Sequence, residues 1–176
     1  MSGTGGADAG PVLRGRLRGE GMRIALVAAR FNELVTGRLV EGALAALHQV
    51  GVSPGDVPLV WVPGSFELPL AAERLASGGE VDGVVCLGAV IRGGTDHYTH
   101  VAGQCASGLA RVQLDTGIPV AFGVLTTDTV DQALDRAGGK GGNKGAEAVL
   151  GLVETVDVLR QLGKGGLGKG NDGGGP

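Results

Sequence analysis

Four times along the chain an apolar run of strand length gives way to a segment with the period of an amphipathic helix, and that alternation constrains the fold most. The first run, residues 23–28, carries Ile24, Leu26 and Val27 and leads into Arg30-Phe31-Asn32. Behind it Leu39, Val40, Ala43, Leu44 and Leu47 recur at helical spacing over residues 34–50, and Gly51 stands where a helix C-terminus wants a residue at positive φ. Residues 57–62 form the second run, broken by Pro63-Gly64. Residues 67–77 then read as a helix, with Pro69 in the first turn, where a missing N–H does no harm. Residues 83–91 are the most apolar run, near-continuous as a strand buried on both faces should be.

Helical spacing returns over residues 97–115, with Val101, Cys105, Leu109 and Val112 on one side, and residues 119–125 are the fourth run. Thr126-Thr127-Asp128 offer capping oxygens to a short helix over residues 130–136. The glycines between 138 and 142 break the chain before a last amphipathic helix, residues 143–162, which turns Val149, Leu152, Val153, Val156 and Leu159 to one face. Strands alternating with helices predict a parallel sheet joined by right-handed crossovers. The expected fold is an α/β three-layer, flavodoxin-like sandwich: a four-stranded parallel sheet with helices on both faces.

A chain of 176 residues has room for one such domain, placed at residues 22–162. Many of the 36 glycines crowd the two ends, so residues 1–21 read as a flexible N-terminal arm and residues 163–176 as a flexible tail. In the arm Leu13, Gly15 and Leu17 alternate with Arg14, Arg16 and Arg18. Residues 12–18 are therefore either an extra strand that pairs with a neighbouring subunit's sheet edge or a disordered basic arm. A formal net charge of −3 gives no field to attract nucleic acid or anionic lipid. No uncharged apolar run approaches the ~18 residues of a bilayer span, and the N-terminus has no apolar leader, so a soluble cytoplasmic protein with no membrane partner is expected. Cys86 and Cys105 fit neither a disulfide framework nor a metal-binding spacing and read as buried thiols.

In an open parallel sheet, ligands bind beyond the carboxyl ends of the strands, where loops and helix N-termini converge. That rule selects Arg30-Phe31-Asn32, Pro63-Gly64-Ser65-Phe66-Glu67, the run from Arg92 to His97, and Thr126-Thr127-Asp128. The chain has only three phenylalanines, one tryptophan and one tyrosine, yet Phe31, Phe66 and Tyr98 all fall in these loops. That placement points to a flat aromatic ligand, against the plainer alternative of loop packing. Gly93-Gly94-Thr95 ahead of a helix makes a phosphate cradle, and His97 beyond it is placed to exchange protons near neutral pH. The Walker A fingerprint is absent, and no Gly-x-Gly-x-x-Gly with an acidic ribose partner follows the first run, so nucleotide and dinucleotide sites are not supported. His97 and His100 lie one turn apart with Asp96 adjoining, a spacing that allows two metal ligands on one face, but no third convincing ligand follows and zinc wants three or four, so no metal is expected. Arg136, Lys140 and Lys144 are either solvated cations or the completion of a phosphate site, with Lys144 pairing locally to Glu147. His48, late in its helix, reads as a solvated residue.

Several of these segments together resemble the 6,7-dimethyl-8-ribityllumazine synthases. The matching pieces are Arg30-Phe31-Asn32, Gly64-Ser65-Phe66-Glu67-Leu68-Pro69, and Gly88-Ala89-Val90-Ile91-Arg92-Gly93-Gly94-Thr95-Asp96-His97-Tyr98. They continue with Phe122-Gly123-Val124-Leu125-Thr126-Thr127, then Gln132-Ala133-Leu134-Asp135-Arg136-Ala137-Gly138 with Gly142-Asn143-Lys144-Gly145, all collinear over residues 23–162. The resemblance implies condensation of 5-amino-6-(D-ribitylamino)uracil with 3,4-dihydroxy-2-butanone 4-phosphate, releasing phosphate and water, without metal or organic cofactor. It implies that Phe31 stacks on the pyrimidine, that Ser65, Phe66 and Glu67 hold the ribityl chain, and that Ala89, Val90 and Ile91 meet the uracil edge through their backbone. It further implies that Gly94, Thr95 and Arg136 bind the phosphate, that His97 moves protons, and that Phe122 covers the ring from a neighbouring subunit. Pentamers follow from the same likeness, with the short 138–143 link and the 12–18 segment resembling members that pack twelve pentamers into a shell of sixty chains. Riboflavin synthase is then a candidate enclosed partner. Asp96, His100 and the glycine-rich tail depart from the family pattern. A non-catalytic flavin- or lumazine-binding shell protein and a metal-dependent hydrolase are the rival readings, with an archaeal-type riboflavin synthase a third.

Overall fold

The computed structural model describes residues 10–167. The elements run β1 (Ile24–Ala29), α1 (Glu33–Gln49), β2 (Leu59–Val62), α2 (Leu68–Ser77), β3 (Gly83–Ile91), α3 (His97–Thr116), β4 (Val120–Thr127), α4 (Val130–Arg136), β5 (Ala137–Gly139), β6 (Gly142–Asn143) and α5 (Lys144–Gly163). One-turn 3-10 helices at Pro54–Asp56 and Ser65–Glu67 precede β2 and α2. The main sheet has the order β2-β1-β3-β4, and its three pairings are parallel. The expected four-stranded α/β sandwich is what the chain forms.

Alternation along the central strands divides the core between two layers. Ile24, Leu26 and Ala28 of β1, with Val85, Leu87 and Ala89 of β3, pack beneath Leu39, Ala43 and Leu47 of α1 and Val149, Leu152 and Val153 of α5. On the other face Ala25, Val27 and Ala29, with Val84, Cys86 and Val90, meet Leu68, Ala72 and Ala76 of α2 and Cys105, Leu109 and Val112 of α3. Each valine, leucine or isoleucine among them contributes roughly 1.5–3 kcal/mol when it leaves water, so the central strands anchor the sandwich. α1 and α5 approach closely, because a Cβ on Gly145 would collide with the carbonyl of Leu39. Asn143 fixes that approach: its Oδ1 accepts from Gly145 and Ala146 N–H at 2.9 and 3.1 Å, capping α5, while its Nδ2 donates to Arg38 O at 2.9 Å.

Three local features differ from the sequence reading. β2 starts at Leu59 rather than 57, because the 3-10 turn places Val57 in its exit and Pro58 has no N–H for a ladder. β4 runs on to Thr127, with Thr126 and Thr127 in register with Val90 and Ile91. The cap of α4 is thus Thr129, whose Oγ1 accepts from Gln132 N–H at 3.1 Å. The glycine-rich break after α4 holds a small antiparallel hairpin, β5-β6, with Gly138 and Gly142 at positive φ.

Residues 12–18 form no strand within the chain. They run extended beside α5, where Arg16 N–H donates to Asp157 Oδ2 at 2.9 Å and Gln161 Nε2 donates to Arg14 O at 3.0 Å. These donors hold the Asp157 carboxyl below its ordinary range, the backbone N–H of Arg16 contributing most. Residues 1–9 of the expected arm and 168–176 of the expected tail lie outside the described residues. Among the described residues no helix is long and apolar enough to cross a membrane.

Candidate active site

β3 is longer than β1 at its carboxyl end, and the site begins there. The β1–β3 ladder ends at Ala28 and Leu87, whereas β3 stays paired with β4 as far as Ile91 and Thr127. The edge of residues 88–91 that faces β1 therefore carries backbone groups without a strand partner. Asn32 closes part of this gap. It takes the left-handed conformation (φ 62°, ψ 44°), which asparagine tolerates better than most residues, and its Nδ2 donates to Ala89 O at 2.8 Å.

A cleft of about 610 Å³ opens over this end of the sheet. Phe31 and Asn32 form one wall, Pro63 to Glu67 a second, Ala89, Val90 and Ile91 the floor, and Gly93, Thr95, His97, Tyr98, His100 and Val101 the far side. Phe31 is 72% exposed and Phe66 60% exposed, so both rings face open space rather than core. An aromatic face held in a cleft beside unpaired backbone N–H and C=O groups suits a flat heterocycle with polar edges.

The second wall is built by a capped turn. The Glu67 carboxylate accepts from Gly64 N–H at 2.9 Å, which fixes the 3-10 turn ahead of α2 and leaves its other oxygen for a ligand. Ser65 is buried and comes close to β3, where a Cβ on Gly88 would lie 2.5 Å from its Oγ. Gly88 is thus the residue that admits Ser65 to the floor of the cleft.

The far side behaves differently. Gly93 and Gly94 do not take positive φ, and no atom lies within 4 Å of where a Cβ would sit on either. Neither is needed by the fold of one chain, and both leave the backbone open to a close-lying ligand. His97 opens α3 behind Asp96, whose side chain makes no cap bond, so the first N–H groups of the helix face this loop. Their positive end favours an anion, and His97 stands beside it.

Of the residues singled out from sequence, the cleft unites Phe31, Ser65, Phe66, Glu67, Ala89, Val90, Ile91, Thr95 and His97. Gly94 lies in the loop but not in the lining. Phe122 and Arg136 are not brought into the cleft of their own chain. Phe122 is 46% exposed on the edge strand β4, and Arg136 ends α4, its Nη1 donating to Gln132 O at 3.1 Å. Lys144 pairs with Glu147 at 2.6 Å, and His48 is exposed in the last turn of α1, both as expected. Among the described residues no group of three or more His, Cys, Asp and Glu side chains converges to hold a metal, Asp96, His97 and His100 included. Both thiols are free and buried in the α2/α3 layer; desolvation pushes Cys105 up to about 11 and Cys86 higher still.

From sequence, Asn32, Pro63 and Gly64 are placed only in strand-end loops, His100 is weighed only as a metal ligand, and Tyr98 is named only as a strand-end aromatic; none is given a substrate contact. An asparagine directly after a strand was the available signal for Asn32, since that residue type tolerates the left-handed turn. His100 follows His97 by three residues, which on a helix places both on one side.

Comparison with known proteins points to one family. The family model of 6,7-dimethyl-8-ribityllumazine synthase matches residues 21–160. The chain is 56% identical over 140 residues to the 6,7-dimethyl-8-ribityllumazine synthase of Halorhodospira halophila (strain DSM 244 / SL1), covering 80% of this chain and 90% of that one. It is 55% identical over 141 residues to the protein of the same name from Edwardsiella ictaluri (strain 93-146), with coverage again 80% and 90%.

Proposed function

Because the chain belongs to the 6,7-dimethyl-8-ribityllumazine synthase family, we propose that it condenses 5-amino-6-(D-ribitylamino)uracil with 3,4-dihydroxy-2-butanone 4-phosphate, in riboflavin biosynthesis. The observation that carries this reading is the meeting, in one cleft, of an exposed phenyl ring, an unpaired strand edge and a glycine loop followed by a histidine. Phe31 stacks on the pyrimidine, whose polar edge is read by backbone groups of Ala89, Val90 and Ile91. Ser65, Phe66 and the free oxygen of Glu67 hold the ribityl chain. The phosphate rests on Gly94, Thr95 and the first N–H groups of α3.

Joining two molecules is chiefly a matter of orientation, and holding them in a productive pose supplies as much as about 7–11 kcal/mol of the barrier. The 5-amino nitrogen attacks the ketone carbon and expels water, loss of a proton and of phosphate leaves an enol that tautomerises to a new carbonyl, and the 6-ribitylamino nitrogen attacks that carbonyl and expels a second water to close the ring. Each step moves a proton, and His97 is the group beside the phosphate end able to take and return one, a contribution of roughly 10²- to 10⁴-fold.

Phe122 and Arg136 reach the site from a neighbouring chain. Arg136 follows Ala133, which packs in the α1/α5 layer, across the sheet from α3 and its His97. Phe122 leaves its ring half-exposed at an open sheet edge. A complete site then needs two copies, and we read the assembly as pentamers, packed twelve to a shell, with residues 12–18 exchanging α5 of their own chain for a neighbour's sheet edge. A cytoplasmic location agrees with two free buried thiols, and riboflavin synthase is a candidate companion inside such a shell. Mixing the two substrates with the protein tests the reaction. Lumazine fluorescence should rise with stoichiometric phosphate release; tight lumazine binding without turnover marks a binding shell instead, and contradicts the proposal.

A further inference from the structure

We propose that Arg92 is a positioning residue, the strut that holds the phosphate-side loop, residues 93–96, and the Tyr98 ring at the mouth of the cleft. The inference rests on the reading of that loop given above. Arg92 is the first residue past β3, and its N–H donates to Thr127 O at 2.8 Å, the last rung between β3 and β4. From this fixed base its guanidinium makes two contacts. Nε pairs with Asp128 Oδ1 at 3.0 Å, and the central carbon lies 5.1 Å from the centroid of the Tyr98 ring. Tyr98 in turn lines the cleft from the first turn of α3. Arg92 thus spans the loop, touching the segment before α4 on one side and the helix that carries His97 on the other.

The loop has little else to hold it. Residues 92–97 are all exposed, Gly93 and Gly94 have no neighbour near a would-be Cβ, and among the described residues Thr95 and Asp96 make no side-chain hydrogen bond. An ion pair as exposed as Arg92–Asp128 adds little to folding stability. Its effect is geometric: a planar guanidinium can give its edge to a carboxylate and its face to a ring together, which an ammonium cannot. The same contact continues through Asp128 N–H, which donates to Gln132 Oε1 at 2.9 Å, and Gln132 O, which accepts from Arg136 Nη1 at 3.1 Å. One strut therefore touches two elements assigned to phosphate, the loop of its own cleft and the Arg136 that serves a neighbour's.

The test compares Arg92→Gln, Arg92→Lys and Asp128→Asn by steady-state kinetics and by calorimetric titration with inorganic phosphate. Arg92→Gln should raise the KM for butanone phosphate and the Kd for phosphate about fivefold, with kcat and the KM for ribitylaminouracil within about twofold. Asp128→Asn should give about half that effect, and Arg92→Lys, which keeps the pair but not the stacked plane, should recover part of the loss. Unchanged phosphate affinity in both Arg92→Gln and Asp128→Asn overturns the proposal, as does a loss spread equally over both substrates and kcat. Should Arg92→Gln not fold, the two phosphate measurements on Asp128→Asn decide alone. Calorimetry needs no turnover, so a wild-type protein that makes no lumazine would refute the condensation while the phosphate affinities still judge Arg92.

Discussion

A methyl group added at Gly145 would collide with the carbonyl of Leu39, whereas one added at Gly93 or Gly94 would meet no atom within 4 Å. The first glycine belongs to the packed contact between α1 and α5, on one side of the sheet; the other two belong to a loop at its carboxyl end. In the first region glycine is required by the chain's own atoms. In the second the chain leaves space that its own fold does not use, and that space lies between exposed aromatic rings, an unpaired strand edge and a histidine. The same contrast runs along β3, whose residues from Gly83 to Leu87 are buried on both faces while its last residues floor the cleft. Packing defines the fold, and unfilled space defines the site.

The largest effect expected from this contrast lies on the open side. His97→Ala should lower kcat roughly a hundredfold or more while leaving thermal stability and assembly unchanged, as kinetics and size-exclusion chromatography would show. A variant with wild-type kcat would remove the proton-transfer role. On the packed side, Gly145→Ala should destabilise the fold by about 2–4 kcal/mol, because the clash is with backbone that cannot rotate away. Denaturant titration measures this, and a stability within 0.5 kcal/mol of wild type would break the comparison.

Arg136→Ala should raise the KM for butanone phosphate about tenfold or more, the loss of one charge-assisted contact to a dianion, with the KM for the pyrimidine little changed. Gly94→Ala should leave stability within about 0.5 kcal/mol and raise the same KM by a smaller factor, about three- to tenfold. A Gly94→Ala enzyme that is destabilised but kinetically normal would reverse the assignment of that loop. The smallest effect concerns the buried thiols. Folding keeps Cys105 protonated up to about pH 11, so the unfolded chain loses its thiol proton first. Stability should be unaffected below the ordinary thiol pKa and decline as pH rises from there toward 11, a decline that Cys105→Ala reduces.

The fold was legible because its period is strong. β3 at Gly83–Ile91 and α4 at Val130–Arg136 have the bounds that the sequence pattern assigns them, and α1 ends before Gly51, which takes φ 91°. What the pattern missed depends on partners distant in sequence or on geometry that polar residues share. Thr126 and Thr127 have the composition of a cap, but pairing with Val90 and Ile91 draws them into β4, and Thr129 caps instead. Residues 138–142 read as a break, yet two positive-φ glycines close a hairpin there. Within the site, the cleft's aromatic rings and histidine followed from strand ends alone. Asn32 did not, because its role is a hydrogen bond to Ala89 across 57 residues of chain. Neither did the placement of Arg136 outside its own cleft, which the packing of α4 against the α1/α5 layer makes visible; for Phe122 the family resemblance already implied a neighbouring chain.

The most direct test is a structure of the assembled protein with the lumazine product and inorganic phosphate bound. The ring is expected against Phe31, with its polar edge on the backbone of residues 89–91, phosphate over Gly94 and Thr95, and His97 within hydrogen-bond reach of it. A neighbour's Phe122 and Arg136 should close the site. Product bound elsewhere, or His97 turned away from the phosphate, would contradict it.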